Sequence, residues 1–153
     1  MCWKCDHPDS TMQEWMELIC AAVQENGWVV QVVTGRPLFA YTIGLHQRGL
    51  PELLVTGMPP ERARLVLNSV AHYLVGGGRP VPGELLLDFV QVQHPSAHLK
   101  FTAMFYGADL RALQLVWPDE QGHRPWCAEF SNDGVLQPVF GVRVDPPDMP
   151  NRR

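Results

Sequence analysis

The sharpest chemical feature of this 153-residue chain is at its start, where Cys2-Trp3-Lys4-Cys5 is followed by Asp6 and His7. Two thiolates at CxxC spacing can chelate one Zn²⁺ on a tight turn, and tetrahedral closure then needs two more nitrogen or sulfur ligands. His94 and His98, spaced HxxxH, have the separation of a second half-site, while Cys127, His123 and His7 are competing donors. The metal candidates are therefore Cys2, Cys5, His94, His98 and Cys127. A redox role for the pair asks for a helix N-terminus close enough to lower a thiol pKa. The first helix signal starts only at about Ser10, five residues after Cys5. Cysteines with no function are the remaining reading.

The other candidates are a set for binding. His46, beside Arg48 and Glu52, suits general acid–base work or contact with an anionic ligand. Asp119, between Trp117-Pro118 and Gly122, is either a ligand or base at a strand end or an aspartate bonding its own turn. Trp117, Trp126, Tyr106 and Phe130 could line an aromatic pocket for a planar ligand, with Tyr41 on the 38–45 strand a further ligand-binding candidate, and aromatics at strand ends equally close a core. Gly76-Gly77-Gly78 follows a helical run and carries no Lys-Ser/Thr partner, so it is not a phosphate loop. No GxSxG, HExxH or paired-glycine nucleotide fingerprint occurs, and no catalytic residue is assigned.

These groups must be positioned by one domain. The length supports a single core, hydrophobic residues make up 46% of the chain, and charged ones only 18%. A net charge of −4, with Arg152-Arg153 as the only dense basic cluster, excludes a phosphate-backbone footprint and with it nucleic acid as a partner. No apolar run approaches the roughly 18 residues that cross a bilayer. The first ten residues lack the pattern of a secretory leader, so a cytoplasmic location is expected and no membrane partner.

Along the chain, Ser10 to Gln13 fits a capping box, and Met12, Trp15, Met16, Ile19 and Val23 recur at helical spacing up to Asn26-Gly27. Residues 28–33 are rich in β-branched side chains, Thr34 to Pro37 are turn formers, and 38–44 complete a hairpin. In that second strand Phe39, Tyr41 and Ile43 share one face, while Leu38, Ala40, Thr42 and Gly44 share another that lets something approach closely. A third strand over 53–57 precedes a helix opened by Pro59-Pro60, with an apolar stripe of Ala63, Val66, Leu67, Val70 and Leu74. Residues 76–83 form an exposed connection; 84–93 and 113–117 read as strands, with a further short strand near Val135–Val144. The stretch 94–112 stays open: Leu99, Phe101, Ala103 and Phe105 suit a strand, whereas Leu99, Ala103 and Tyr106 suit a helix.

FAYTIGL (39–45), PELLVTG (51–57), QLVWPD (114–119) with Gly122 and Pro125-Trp126, and the opening MCWKCD together resemble the domain-of-unknown-function family numbered 4262, common in actinobacteria. The likeness runs from about residue 1 to about residue 141 and implies a bacterial cytoplasmic setting without naming a reaction. One departure is Cys127, where the family form carries an acidic residue. Residues 28–75 are also similar in strand order to the split β-barrel of flavin reductases, which implies a flavin.

The fold expected is α+β: one domain over 1–153, with an antiparallel sheet of about five or six strands curled towards a barrel and two main helices packed on it. Residues 1–9 carry the cysteines and 145–153 form a frayed tail. The function expected is non-enzymatic binding or regulation, with zinc stapling the N-terminus. The partner would be a small molecule or a protein, including a second copy in a homodimer. The alternative is a small oxidoreductase with a flavin or similar planar ligand.

Overall fold

The computed structural model describes residues 11–35, 37–79, 87–107, 109–130 and 137–143. Cys2, Cys5, residues 80–83 of the connection over 76–83 and the tail from 144 lie outside the described residues. Helix α1 (Met12–Asn26) is capped by Thr11, whose hydroxyl oxygen accepts the Glu14 N–H at 3.0 Å. The cap is thus Thr11 with Glu14, one residue beyond the expected Ser10–Gln13 box, because Thr-x-x-Glu offers the same reciprocal pairing. Gly27, at φ 94°, ends the helix and turns the chain into β1 (Val29–Val33), which pairs antiparallel with β2 (Phe39–Ile43).

A 3-10 turn over Leu45–Arg48 leads to β3 (Glu52–Thr56), antiparallel to β2. Helix α2 (Pro60–Val75) starts on a proline at its first position, where the missing N–H has no intrahelical partner to lose. It lays Ala63, Leu67, Val70, Ala71 and Leu74 on a sheet face made by Ala40, Leu53, Val55, Phe89 and Leu115. Each such leucine, fully buried, stabilises the fold by roughly 1.5–3 kcal/mol. What approaches the small-residue side of the 38–44 strand is therefore α2, through Ala40.

After β4 (Asp88–Val92), the open stretch resolves as helix: one turn, α3 (Pro95–His98), then α4 (Lys100–Tyr106). Both periodicities noted there find a use, because α4 lies between two apolar surfaces. Leu99 joins Tyr41, Ile43, Leu54 and Ala112 on the second sheet face, while Phe101 packs its ring 4.4 Å from that of Trp15 on α1. Strand β5 (Ala112–Val116) and the short β6 (Gly141–Arg143) complete the order β1-β2-β3-β5-β4-β6.

The α+β class holds, with two refinements. The sheet is mixed, since β3 and β5 run parallel while the other four pairings are antiparallel. Parallel neighbours need a long crossover, and the passage through α2, β4 and α4 supplies it. The sheet is also open rather than curled into a barrel, because β1 and β6 are its two edges. Helices on both faces bury what barrel closure would otherwise have enclosed. No helix among the described residues is long and apolar enough to cross a membrane.

Gly44 sits where α1, β1 and the 3-10 turn meet, at φ 127°. A Cβ there would lie 2.8 Å from the Gly27 carbonyl oxygen and 2.9 Å from the Trp28 Cα. Gly44→Ala is expected to destabilise the protein by about 3 kcal/mol through positive-φ strain and backbone overlap, read as a lowered midpoint in urea denaturation.

Candidate functional site

The chain leaves α1 at Gly27 and immediately buries Trp28 under α2. The Trp28 indole N–H donates to Asn68 Oδ1 at 3.0 Å, and its ring meets the His72 imidazole edge-on at 4.7 Å between centroids. Arg64, Asn68 and His72 recur every four residues, so they rise along one side of α2. Together with Asn26, Trp28, Val29 and Val30 they line an open cleft of 520 Å³ at the β1 edge of the sheet. That volume is in the range of small-molecule sites, and the lining combines Trp28, Val29 and Val30 with the polar side chains of Asn26, Arg64, Asn68 and His72. No carboxylate among the described residues lies within ion-pair distance of Arg64. With its Oδ1 engaged by Trp28, Asn68 keeps its NH₂ group as a donor.

A second polar centre lies within the fold. Glu52 is fully buried at the start of β3, and its carboxylate accepts four hydrogen bonds. Oε1 takes the Thr42 hydroxyl at 2.7 Å and the Leu45 N–H at 3.0 Å; Oε2 takes the N–H groups of Gly44 at 2.9 Å and His46 at 3.3 Å. Burial raises the carboxyl above the usual glutamate range, and the four donors oppose that shift without cancelling it. The His46 ring, half-buried, lies 5.0 Å from the Tyr106 ring. The Tyr106 hydroxyl is pushed up to about 12 by burial, then by the charges of Glu52 and Cys20. Glu52 therefore holds the turn that carries His46.

The ligand-binding candidates are not brought together. Tyr41 is in the core on the α1/α4 face, its hydroxyl oxygen accepting the Phe101 N–H at 3.1 Å, and burial raises that hydroxyl far above its usual range. Trp117 is on the α2 face, donating its indole N–H to the Thr56 carbonyl at 2.9 Å. Asp119 bonds its own loop, with Oδ1 accepting the N–H groups of Gln121 at 2.9 Å and His123 at 2.8 Å. Trp126 is exposed in the same loop. The parallel register of β3 and β5 puts Trp117, Asp119 and Trp126 at the end of the sheet opposite His46.

Of the metal candidates, Cys2 and Cys5 are outside the described residues. His94 caps α3 at φ 51° and His98 closes it, with the His98 ring stacked 4.2 Å from that of Phe140. Cys127 follows Arg124, which pairs with Asp88 at the other end of β4. The two histidines and Cys127 thus lie at opposite ends of that strand. No group of three or more histidine, cysteine or acidic side chains that could hold a metal occurs among the described residues.

The conserved-family model described as domain of unknown function, DUF4262, matches residues 22–131. The chain belongs to the DUF4262 family. In this DUF4262 chain the match takes in the last turns of α1, the Trp28 cleft, the Glu52 centre and the Asp119 loop. No curated protein and no solved structure matches the chain.

Sequence reasoning missed the Trp28–Asn68–His72 arrangement and the role of Glu52. The signal for Glu52 was a lone acid opening the apolar run ELLVTG, where the strand period leaves it no water.

Because the folded protein holds the Glu52 proton more tightly than the unfolded chain, the linked stability is full below the ordinary glutamate pKa. It falls as pH rises from there through the raised value. Glu52→Gln should abolish that slope in urea titrations between pH 4 and 8, and should cost about 2 kcal/mol by turning an NH₂ group towards backbone donors.

Proposed function

We propose that this chain is a ligand-binding domain, that its site is the cleft between β1 and α2, and that its ligand is a small organic anion with a flat or apolar body. The observation that carries this reading is Arg64: a guanidinium with no carboxylate in ion-pair reach among the described residues, standing in the same cleft wall as Asn68 and His72 over the Trp28 floor. A guanidinium presents a planar fork of donors that matches a carboxylate or phosphate. The Asn68 amide adds a neutral donor, and the Trp28 and Val30 surfaces suit an apolar body. A planar ring would enter here rather than between Tyr41 and Trp117, which lie on opposite sides of the sheet.

Benzoate and inorganic phosphate are the probes. In a ¹H–¹⁵N titration, benzoate is expected to shift the Trp28 indole N–H and the Val30 amide, and Arg64→Gln to weaken its binding about tenfold, the loss of one charge-assisted hydrogen bond. Absence of shifts in this cleft with both probes, or equal affinity in the variant, would remove the reading.

A zinc staple at the N-terminus keeps one supporting observation: His94 and His98 stand at the two ends of the single turn α3, close together along the chain. We propose Cys2 and Cys5 with this histidine pair as the ligand set. About one zinc per full chain by elemental mass spectrometry is expected, lost in Cys5→Ser together with a fall in melting temperature. Equal melting temperatures with and without a strong chelator would count against it.

A further inference from the structure

The β1 edge carries an inference of its own. Gly57 donates its N–H to the Leu38 carbonyl at 2.8 Å, which sets the backbone groups of the even-numbered residues of β2 towards β3. Those of Phe39, Tyr41 and Ile43 then face β1, and through the register they engage Val29, Gln31 and Val33. Val30 and Val32 are left pointing their N–H and C=O groups away from the sheet. The Gln31 side chain agrees with this, since its amide donates to the outward Val32 carbonyl at 3.1 Å.

Edge strands are normally guarded by lysine, proline, a bulge or a covering segment. Residues 29–33 contain no charge and no proline, and their register with β2 runs one-to-one over all five residues. The strand is also a palindrome, Val-Val-Gln-Val-Val centred on Gln31. A two-fold contact demands a patch complementary to itself, and this strand meets that condition in both side chains and backbone.

We propose that β1 pairs antiparallel with β1 of a second copy of this chain, with the two-fold axis at Gln31. Each Gln31 faces its symmetry mate in a non-hydrogen-bonded pair, with Cα atoms roughly 4.5 Å apart, where the two side-chain amides can bond to each other. Val30 of each copy faces Val32 of the other in a hydrogen-bonded pair, and Val29 faces Val33. Every outward N–H and C=O of the strand is then used, and the two six-stranded sheets become one. A one-residue slip would set the outward backbone groups of Val30 and Val32 against residues whose own groups point into their sheet, so no ladder could form. The second strand runs past the Val29–Val30 wall of the cleft, so the test reads pairing directly rather than through a ligand.

A five-residue strand pair is at the small end of protein interfaces, so a concentration-dependent dimer is expected. The experiment is sedimentation equilibrium of the full chain from about 1 μM to 1 mM, with amide exchange followed at the upper end. The expected result is a mass rising from monomer to dimer, and slow exchange of the Val30 and Val32 N–H groups at high concentration. Val32→Pro removes an outward N–H that bonds to no backbone group among the described residues, and Gln31→Lys sets two like charges against each other at the axis. Both should remain monomeric with the circular dichroism of the parent. Since proline could disturb the hairpin, Gln31→Lys decides alone if Val32→Pro does not fold. A monomer mass throughout, rapid exchange at both amides, or a dimer that a folded Gln31→Lys leaves intact would overturn the pairing.

Discussion

The buried carboxylate of Glu52 is the interaction on which the rest of this structure turns. A charge taken out of water is costly unless hydrogen bonds replace its hydration, and here the Thr42 hydroxyl and the N–H groups of Gly44, Leu45 and His46 do so. Those three N–H groups open a tight turn whose later donors, Gln47, Gly49 and Leu50, bond back to the carbonyls of Gly44, His46 and Leu45, so acid and turn together satisfy the segment. The constraint spreads outward from Thr42: its hydroxyl oxygen accepts the Leu53 N–H, and its carbonyl accepts the Thr102 hydroxyl of α4. One β2 residue thereby connects the turn, β3 and the helix on the second face.

A second polar clasp works at the far end of the sheet. The Gln114 amide donates to the Pro138 carbonyl at 2.7 Å and accepts the Phe140 N–H at 2.8 Å, while Gln137 exchanges hydrogen bonds with the Trp117 backbone. These amides let the segment before β6 cross a buried sheet face with its backbone groups paired. They also show why Trp117 does not open onto a pocket: its indole is bonded to Thr56 within the core. The cleft beside Trp28 differs because there the sheet ends, and α2 extends its polar side past the last strand.

Much of the framework was legible in the sequence because local signals and global packing agree. The β-branched run at 28–33, the turn formers after it and the alternation at 39–43 specify the hairpin, and the stripe on 60–75 specifies α2 and the face it buries. The 94–106 stretch was not decidable, since Leu99 and Ala103 fit both periods; the Trp15 ring on α1 and the sheet beneath, both far away in sequence, settle it as helix. The candidate site was less legible. Tyr41 and Trp117 look alike in an aromatic pattern, and only their register places them on opposite faces.

By itself the sequence determined the α+β class, the hairpin, both long helices and the absence of familiar hydrolase or nucleotide motifs, because each of these rests on neighbours within a few residues. Only the tertiary structure decided that β3 and β5 run parallel, that the sheet stays open, and that Glu52 is a buried acceptor rather than a solvated loop acid. It also decided that Asn26, Trp28 and Arg64 share a cleft. The reason is physical: strand order, burial and convergence depend on contacts between segments distant along the chain, and a charged or aromatic side chain has the same local pattern whether water, a core or a ligand awaits it.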